Sequence, residues 1–136
     1  MSSNAGLSPL NVGDYSPGVC NIGPAEIARR RMAGHIGLLV SAAVLAGLVA
    51  VGAPHWTRLI LVLPAGGSAS GYLQAWFHFC AGFGSRGIYN FGSLGTVQDV
   101  ADPEARALDR AKSLRIGVGS LAIGAGVAIV AALLPI

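Results

Sequence analysis

No aspartate, glutamate, lysine or arginine falls between Arg31 and Arg58, between Arg58 and Arg86, or after Arg115. Uncharged apolar runs of this length have two outcomes. They form the interior of a protein large enough to cover them, or they lie in a membrane. The chain has 136 residues, enough for one domain. It is 11% charged and 53% hydrophobic, with a mean hydropathy of +0.62, whereas a soluble domain is about 25% charged. Too little polar surface is present to cover three such runs in water. The sequence therefore predicts an all-α integral membrane protein of three transmembrane helices, a hairpin followed by a third helix.

Residues 1–22 are rich in Ser, Asn, Gly and Pro and read as an irregular cytoplasmic tail, with residues 23–136 as a single three-helix membrane domain. A helix opens at Pro24, which suits a first helical position, and Glu26 suits its positive end. Its apolar part, residues 33–53, is about one hydrocarbon core long. Gly52 and Pro54 end it, and the turn 54–58 carries Trp56, an interfacial residue type. The second span, 59–83, is expected as one helix, although Pro64 and the glycines at 66, 67 and 71 weaken it. A glycine-rich connector at 84–100 follows. Asp102 and Pro103 then start an amphipathic cytoplasmic segment, with ion pairs expected at Asp102–Arg106 and Asp109–Lys112, that continues into a third span at 116–134.

With three spans, Arg29, Arg30, Arg31, Arg86, Arg106, Arg110, Lys112 and Arg115 share one side, and Arg58 alone lies on the other. Basic residues concentrate on the cytoplasmic side. The expected location is the bacterial cytoplasmic (inner) membrane, multi-pass, with the N-terminus cytoplasmic and the C-terminus outside. Arg29, Arg30, Arg31, Arg106, Arg110, Lys112 and Arg115 are then topology and headgroup residues facing the lipid bilayer. The net charge of +3 is accounted for in this way. It forms no basic stripe, and no nucleic-acid partner is expected. The first twenty residues lack a basic region followed by an apolar run, so no cleaved signal peptide is expected.

On a continuous second helix, Gly67, Gly71, Gln74, His78, Gly82 and Ser85 share one small, polar stripe. Tyr72, Trp76, Phe79 and Phe83 share an aromatic face, expected to meet lipid or a partner. Small residues let helices approach closely in a membrane, and polar side chains bond across the contact. The third span repeats the theme at Gly117, Ser120, Gly124 and Ala128. Cys20, His35, His78 and Cys80 are the candidate metal or thiol ligands. His78 and Cys80 point about 200° apart on a helix, and no second close ligand pair accompanies them. No metal site, haem or other cofactor is expected, and no catalytic residues stand out. Cys20 and Cys80 are expected near one another as reduced thiols.

Within CNIGPAEIARRRMAGHIG, residues Asn21, Gly23, Glu26, Arg30 and Gly34 follow the spacing Asn-x-Gly, acid, Arg, Gly. With Phe79–Cys80 this resembles the small YgaP-type inner-membrane family over residues 20–83. The family's second helix tends to end in Gly-Phe-Cys-Pro, and here His78 and Ala81 replace the glycine and the proline. The resemblance implies a helical hairpin with a cysteine near the cytoplasmic face. Fusion of some members to sulfurtransferase domains implies sulfur chemistry or anion movement. The primary expectation is a non-enzymatic membrane protein that packs with itself as a homo-oligomer or serves as an accessory subunit of a larger membrane complex. A thiol-redox role for Cys20 and Cys80 and an oligomeric channel or transporter are the alternatives.

Overall fold

A computed structural model describes residues 15–136. Most of these residues are helical. Helix α1 spans Pro24–Ala50, a 3-10 helix spans His55–Leu61, and α2 continues from it over Val62–Phe77. A short α3 (Ala81–Arg86), the strands β1 (Ile88–Tyr89) and β2 (Gln98–Asp99), and the long helix α4 (Pro103–Leu133) complete the order. Helices α1 and α4 are each long and apolar enough to cross a membrane. The strands pair antiparallel, Ile88 with Asp99 and Tyr89 with Gln98. This small ribbon lies in the region expected as a glycine-rich connector. Of the tail expected at 1–22, residues 1–14 lie outside the described residues. Ser16 and Cys20 form an antiparallel bridge, and Ile22 bridges Asn90.

The chain divides into two compact units. An apolar unit comprises Arg30–Leu73 and Ile116–Ile136, and a polar unit comprises Gln74–Arg115 with residues 15–29. The apolar unit contains three charged residues, Arg30, Arg31 and Arg58, and no aspartate or glutamate.

Inside the apolar unit, α2 meets α1 and α4 at points where backbone approaches backbone closely. A Cβ on Gly71 would stand 2.6 Å from the Gly34 nitrogen and 2.7 Å from the Arg30 carbonyl oxygen. One on Gly37 would meet the backbone of Ser68 at 2.8 Å, and the Ser68 hydroxyl donates to the Gly34 carbonyl at 2.7 Å. On α4, a Cβ at Gly124 would stand 2.7 Å from the Val62 carbonyl oxygen and 2.8 Å from Gly66. Interiors built this way leave the bulky side chains outside: Leu39 is 70%, Leu63 71% and Leu133 78% exposed. Pro64 falls in the first turn of α2, where proline is tolerated.

Arg58 is buried in this unit, with 2% of its surface exposed. Its Nη1 donates to the carbonyls of Ala131 at 3.0 Å and Leu134 at 3.2 Å, and its Nη2 donates to that of Ile136. The last carbonyls of a helix have no intrahelical donor, and a cation at that end is favoured by the helix dipole. Arg58 thus closes the end of α4.

The expected second helix over 59–83 is corrected. Helix α2 ends at Phe77, and the chain turns before α3. His78 adopts a left-handed conformation with φ 53°, while Phe79 N donates to Gln74 O at 3.0 Å and His78 N to Ala75 O at 3.4 Å. This is the Schellman closure of a helix, with His78 where glycine is usual.

The glycine contacts give a direct test. Alanine favours a helix over glycine by about 1 kcal/mol, so Gly67→Ala, whose Cβ enters open space, raises the thermal midpoint in detergent. Gly71→Ala lowers it, because the neighbouring atoms are backbone and cannot rotate away. The opposite order would contradict the packing described.

Candidate functional site

The densest set of buried polar groups lies in the polar unit, around Asn21. Its carboxamide pairs with the backbone of Cys80 as a second peptide would. Cys80 N donates to Asn21 Oδ1 at 2.7 Å, and Asn21 Nδ2 donates to the Cys80 carbonyl at 3.1 Å. The Asn21 main chain is also engaged, its N–H donating to His78 O at 3.1 Å and its carbonyl accepting from Asn90 N at 3.0 Å. Residues 78–80 exchange helical hydrogen bonds for these, which explains why α2 stops there. Gln74 assists: its Oε1 accepts from Ala81 N at 2.9 Å, at the opening of α3.

Asn90 stands beside this pairing. Its Nδ2 donates to Glu26 Oε2 at 3.0 Å and to the Ser93 carbonyl at 2.9 Å. Its Oδ1 accepts from Gly92 N and Thr96 Oγ1, both at 2.9 Å. All four hydrogen-bonding positions of the amide thus have a partner within reach, the single Thr96 hydroxyl proton being shared with the Ser93 carbonyl at 2.7 Å. Glu26 is 1% exposed and lies in the first turn of α1, where the dipole favours a carboxylate. Asn21 is 0% and Asn90 1% exposed.

Asp109 on α4 anchors the segment that precedes Asn21. Its carboxylate accepts from the Tyr15 hydroxyl at 2.6 Å and from Gly18 N at 2.7 Å. Tyr15 stacks on Tyr89 with centroids 4.8 Å apart. Burial, and then the hydrogen bond and charge of Asp109, hold the Tyr15 phenol above its ordinary range, so it stays a donor. The expected ion pairs of this helix give way to other bonds. Asp109 is taken by Tyr15 and Gly18, Arg106 Nε donates to Val100 O at 2.5 Å, and Asp102 Oδ1 accepts from Glu104 N at 3.3 Å.

Of the expected packing stripe, only Gly71 forms a close helix contact. Gly67 is exposed, Gln74 caps α3, His78 is exposed at the end of α2, and Gly82 and Ser85 are exposed on α3. The expected aromatic face divides. Trp76 is 81% exposed, Tyr72 packs on Gly34, and Phe79 and Phe83 are buried within the chain, which corrects their assignment to a face meeting lipid or a partner. On α4, Ser120, Gly124 and Ala128 are buried, whereas Gly117 faces open space. Among the headgroup candidates, Arg29, Arg31, Arg110 and Arg115 are exposed and Arg30 is half-buried. Lys112 sits over the Phe77 ring, 4.3 Å from its centroid.

Cys80 caps α3, its Sγ accepting from Phe83 N at 3.4 Å, and Cys20 Sγ donates to Ile22 O at 3.7 Å. Cys80 is buried and Cys20 half-buried. His35 lies in the apolar unit and is hydrogen-bonded through Nδ1 to the Tyr72 hydroxyl at 2.6 Å. Among the described residues, no three of His, Cys, Asp and Glu are grouped to hold a metal ion. Asn90 was missed by the sequence reading, yet it carried a signal. An Asn whose side chain bonds its own backbone two residues on marks a turn, and Asn90–Phe91–Gly92 fits. Compared with protein-family models, with curated proteins and with solved structures, the chain matches none.

Two substitutions probe the Asn21 pairing in opposite directions. Asn21→Asp cannot donate to the Cys80 carbonyl, and loss of one partner in a buried pair costs about 1–3 kcal/mol. His78→Gly removes the left-handed penalty of about 1–2 kcal/mol and raises stability. Chemical unfolding in detergent measures both, and a destabilised His78→Gly protein would contradict the closure assigned to that residue.

Proposed function

We propose that the chain is a three-span membrane protein, N-terminus cytoplasmic and C-terminal end outside, that acts without catalysis by packing with itself or with other subunits of a membrane complex. The bond set of Arg58 carries this reading. Arg58 follows α1 in the chain and donates to the carbonyls that end α4. This supports an arrangement in which both long apolar helices finish on one side of the bilayer, so that the chain between them crosses back. The 3-10 helix and α2 together extend about 38 Å by helical rise, against a hydrocarbon core of about 30 Å. The distribution of basic residues, eight against Arg58, supports the same orientation.

A non-catalytic role is supported by the saturation of the buried amides. Asn90 spends every donor and acceptor on its own chain, and the Asn21 amide is committed to Cys80. Such groups position backbone and leave no valence for a substrate. The exposed apolar surface of the helices offers area for lipid and for partner helices. The resemblance to the YgaP-type family belongs to this proposal. Positions 78 and 81, where its motif has Gly and Pro, hold a left-handed residue and the first residue of a helix, and those are the conformations glycine and proline favour.

Single cysteines at His55 and Leu94, in a Cys20→Ser/Cys80→Ser chain, test the topology with a membrane-impermeant maleimide. His55→Cys labels in intact cells, and Leu94→Cys labels only after permeabilisation. Labelling of both from one side would overturn the three-span reading. The parent double substitution keeps assembly intact, since Ser at position 80 still caps α3. Loss of assembly on removing the thiols would favour the thiol-linked alternative.

A further inference from the structure

The apolar unit has a groove that its helix contacts leave unfilled. One part, with a volume of about 210 Å³, is walled by Leu38 and Ser41 of α1, Tyr72 of α2, and Ile123 and Val127 of α4. A second part of about 400 Å³ shares Ile123 and Val127 with the first and continues past Leu45 to Leu134. From Ile123 to Leu134 the chain rises about 16 Å.

One end of this slot is polar. On α1 the wall residues Leu38, Ser41 and Leu45 recur at helical spacing, and the same stripe continued toward the N-terminus carries His35 and Arg31. His35 is hydrogen-bonded to the hydroxyl of Tyr72, itself a wall residue. Their rings meet edge-on, with centroids 5.3 Å apart. Arg31 is exposed about one turn further on. The unit has no carboxylate side chain that would repel an anion.

We infer that the groove holds one acyl chain of an anionic phospholipid, whose phosphate is met by Arg31, His35 and Tyr72. The inference rests on the membrane reading above. An apolar slot that ends in a cation, an imidazole and a phenol matches an amphiphile with its negative charge at one end. Tyrosine is favoured at headgroup level, and basic residues are attracted to anionic lipid.

Native mass spectrometry of delipidated protein in detergent, given equal phosphatidylglycerol and phosphatidylcholine, tests this. The protein retains one phosphatidylglycerol per chain, with about a fivefold preference, the worth of one basic residue beside an anionic headgroup. Arg31→Gln, at an exposed position, removes most of the preference, and Ala69→Leu, at a residue of α2 that also lines the groove, lowers retention of both lipids. Equal retention of the two lipids by the unsubstituted chain, or dimers that retain no lipid, would overturn the inference. Flotation with phosphatidylglycerol–phosphatidylcholine vesicles is scored separately. A chain that does not float contradicts the membrane reading itself, whereas one that floats without the preference contradicts only the lipid site.

Discussion

A buried arginine in an apolar body has to be satisfied where it stands. A guanidinium has five donors and no acceptor, and leaving a buried charge unpaired is strongly destabilising. Arg58 meets this requirement with the carbonyls at the end of α4, which themselves need donors. Two deficits cancel in one contact, although among the described residues Nε has no partner. The contact links the start of the second helical segment to the last turn of the final helix. The rest of the apolar unit then follows. The 3-10 helix leads into α2, and α2 lies where Gly34 and Gly37 on one side and Gly124 on the other let its backbone come close.

The polar unit solves a different problem with similar means. Its segments around residues 15–22, 78–80 and 87–100 are too irregular to satisfy their own backbones. Buried backbone groups need partners, and amide side chains supply them here. Asn21 acts as a peptide surrogate for Cys80, Asn90 folds the 90–96 turn around itself, and Asp109 holds Gly18 and Tyr15. These three residues sit far apart in sequence, so each ties a local turn to a distant element.

The helices were legible in the sequence because their signals are local. Uninterrupted apolar runs, Pro24 and Pro103 at helix starts, and Pro54 after a helix end mark α1 and α4 without reference to anything else. The end of α2 was not legible in this way. Nothing between Phe77 and Phe83 breaks a helix by itself, and Gly82 and Gly84 lie beyond the observed stop. The break comes from Asn21, some sixty residues away, which takes the Cys80 backbone for itself. For the same reason a regular helical wheel misassigns His78, Phe79 and Phe83, because it extends past the end of the helix. The small-residue contacts were half legible. Gly71 and Gly124 lay on stripes visible in the sequence, but Gly34, Gly37 and Gly66 became packing residues only once their neighbours were known. Arg58 was readable as a lone charge between apolar runs, and its burial depended on a helix end that the sequence does not place beside it.

The account turns on Arg58 lying against the end of α4, and crosslinking measures that most directly. Cysteines at Thr57 and Pro135, in a chain lacking Cys20 and Cys80, are treated in native membranes with a short bifunctional maleimide. The account predicts a rapid crosslink within one chain, weakened when Arg58 is replaced by Leu. Two thiols that never join, and that an impermeant reagent reaches from opposite faces of the membrane, would contradict it.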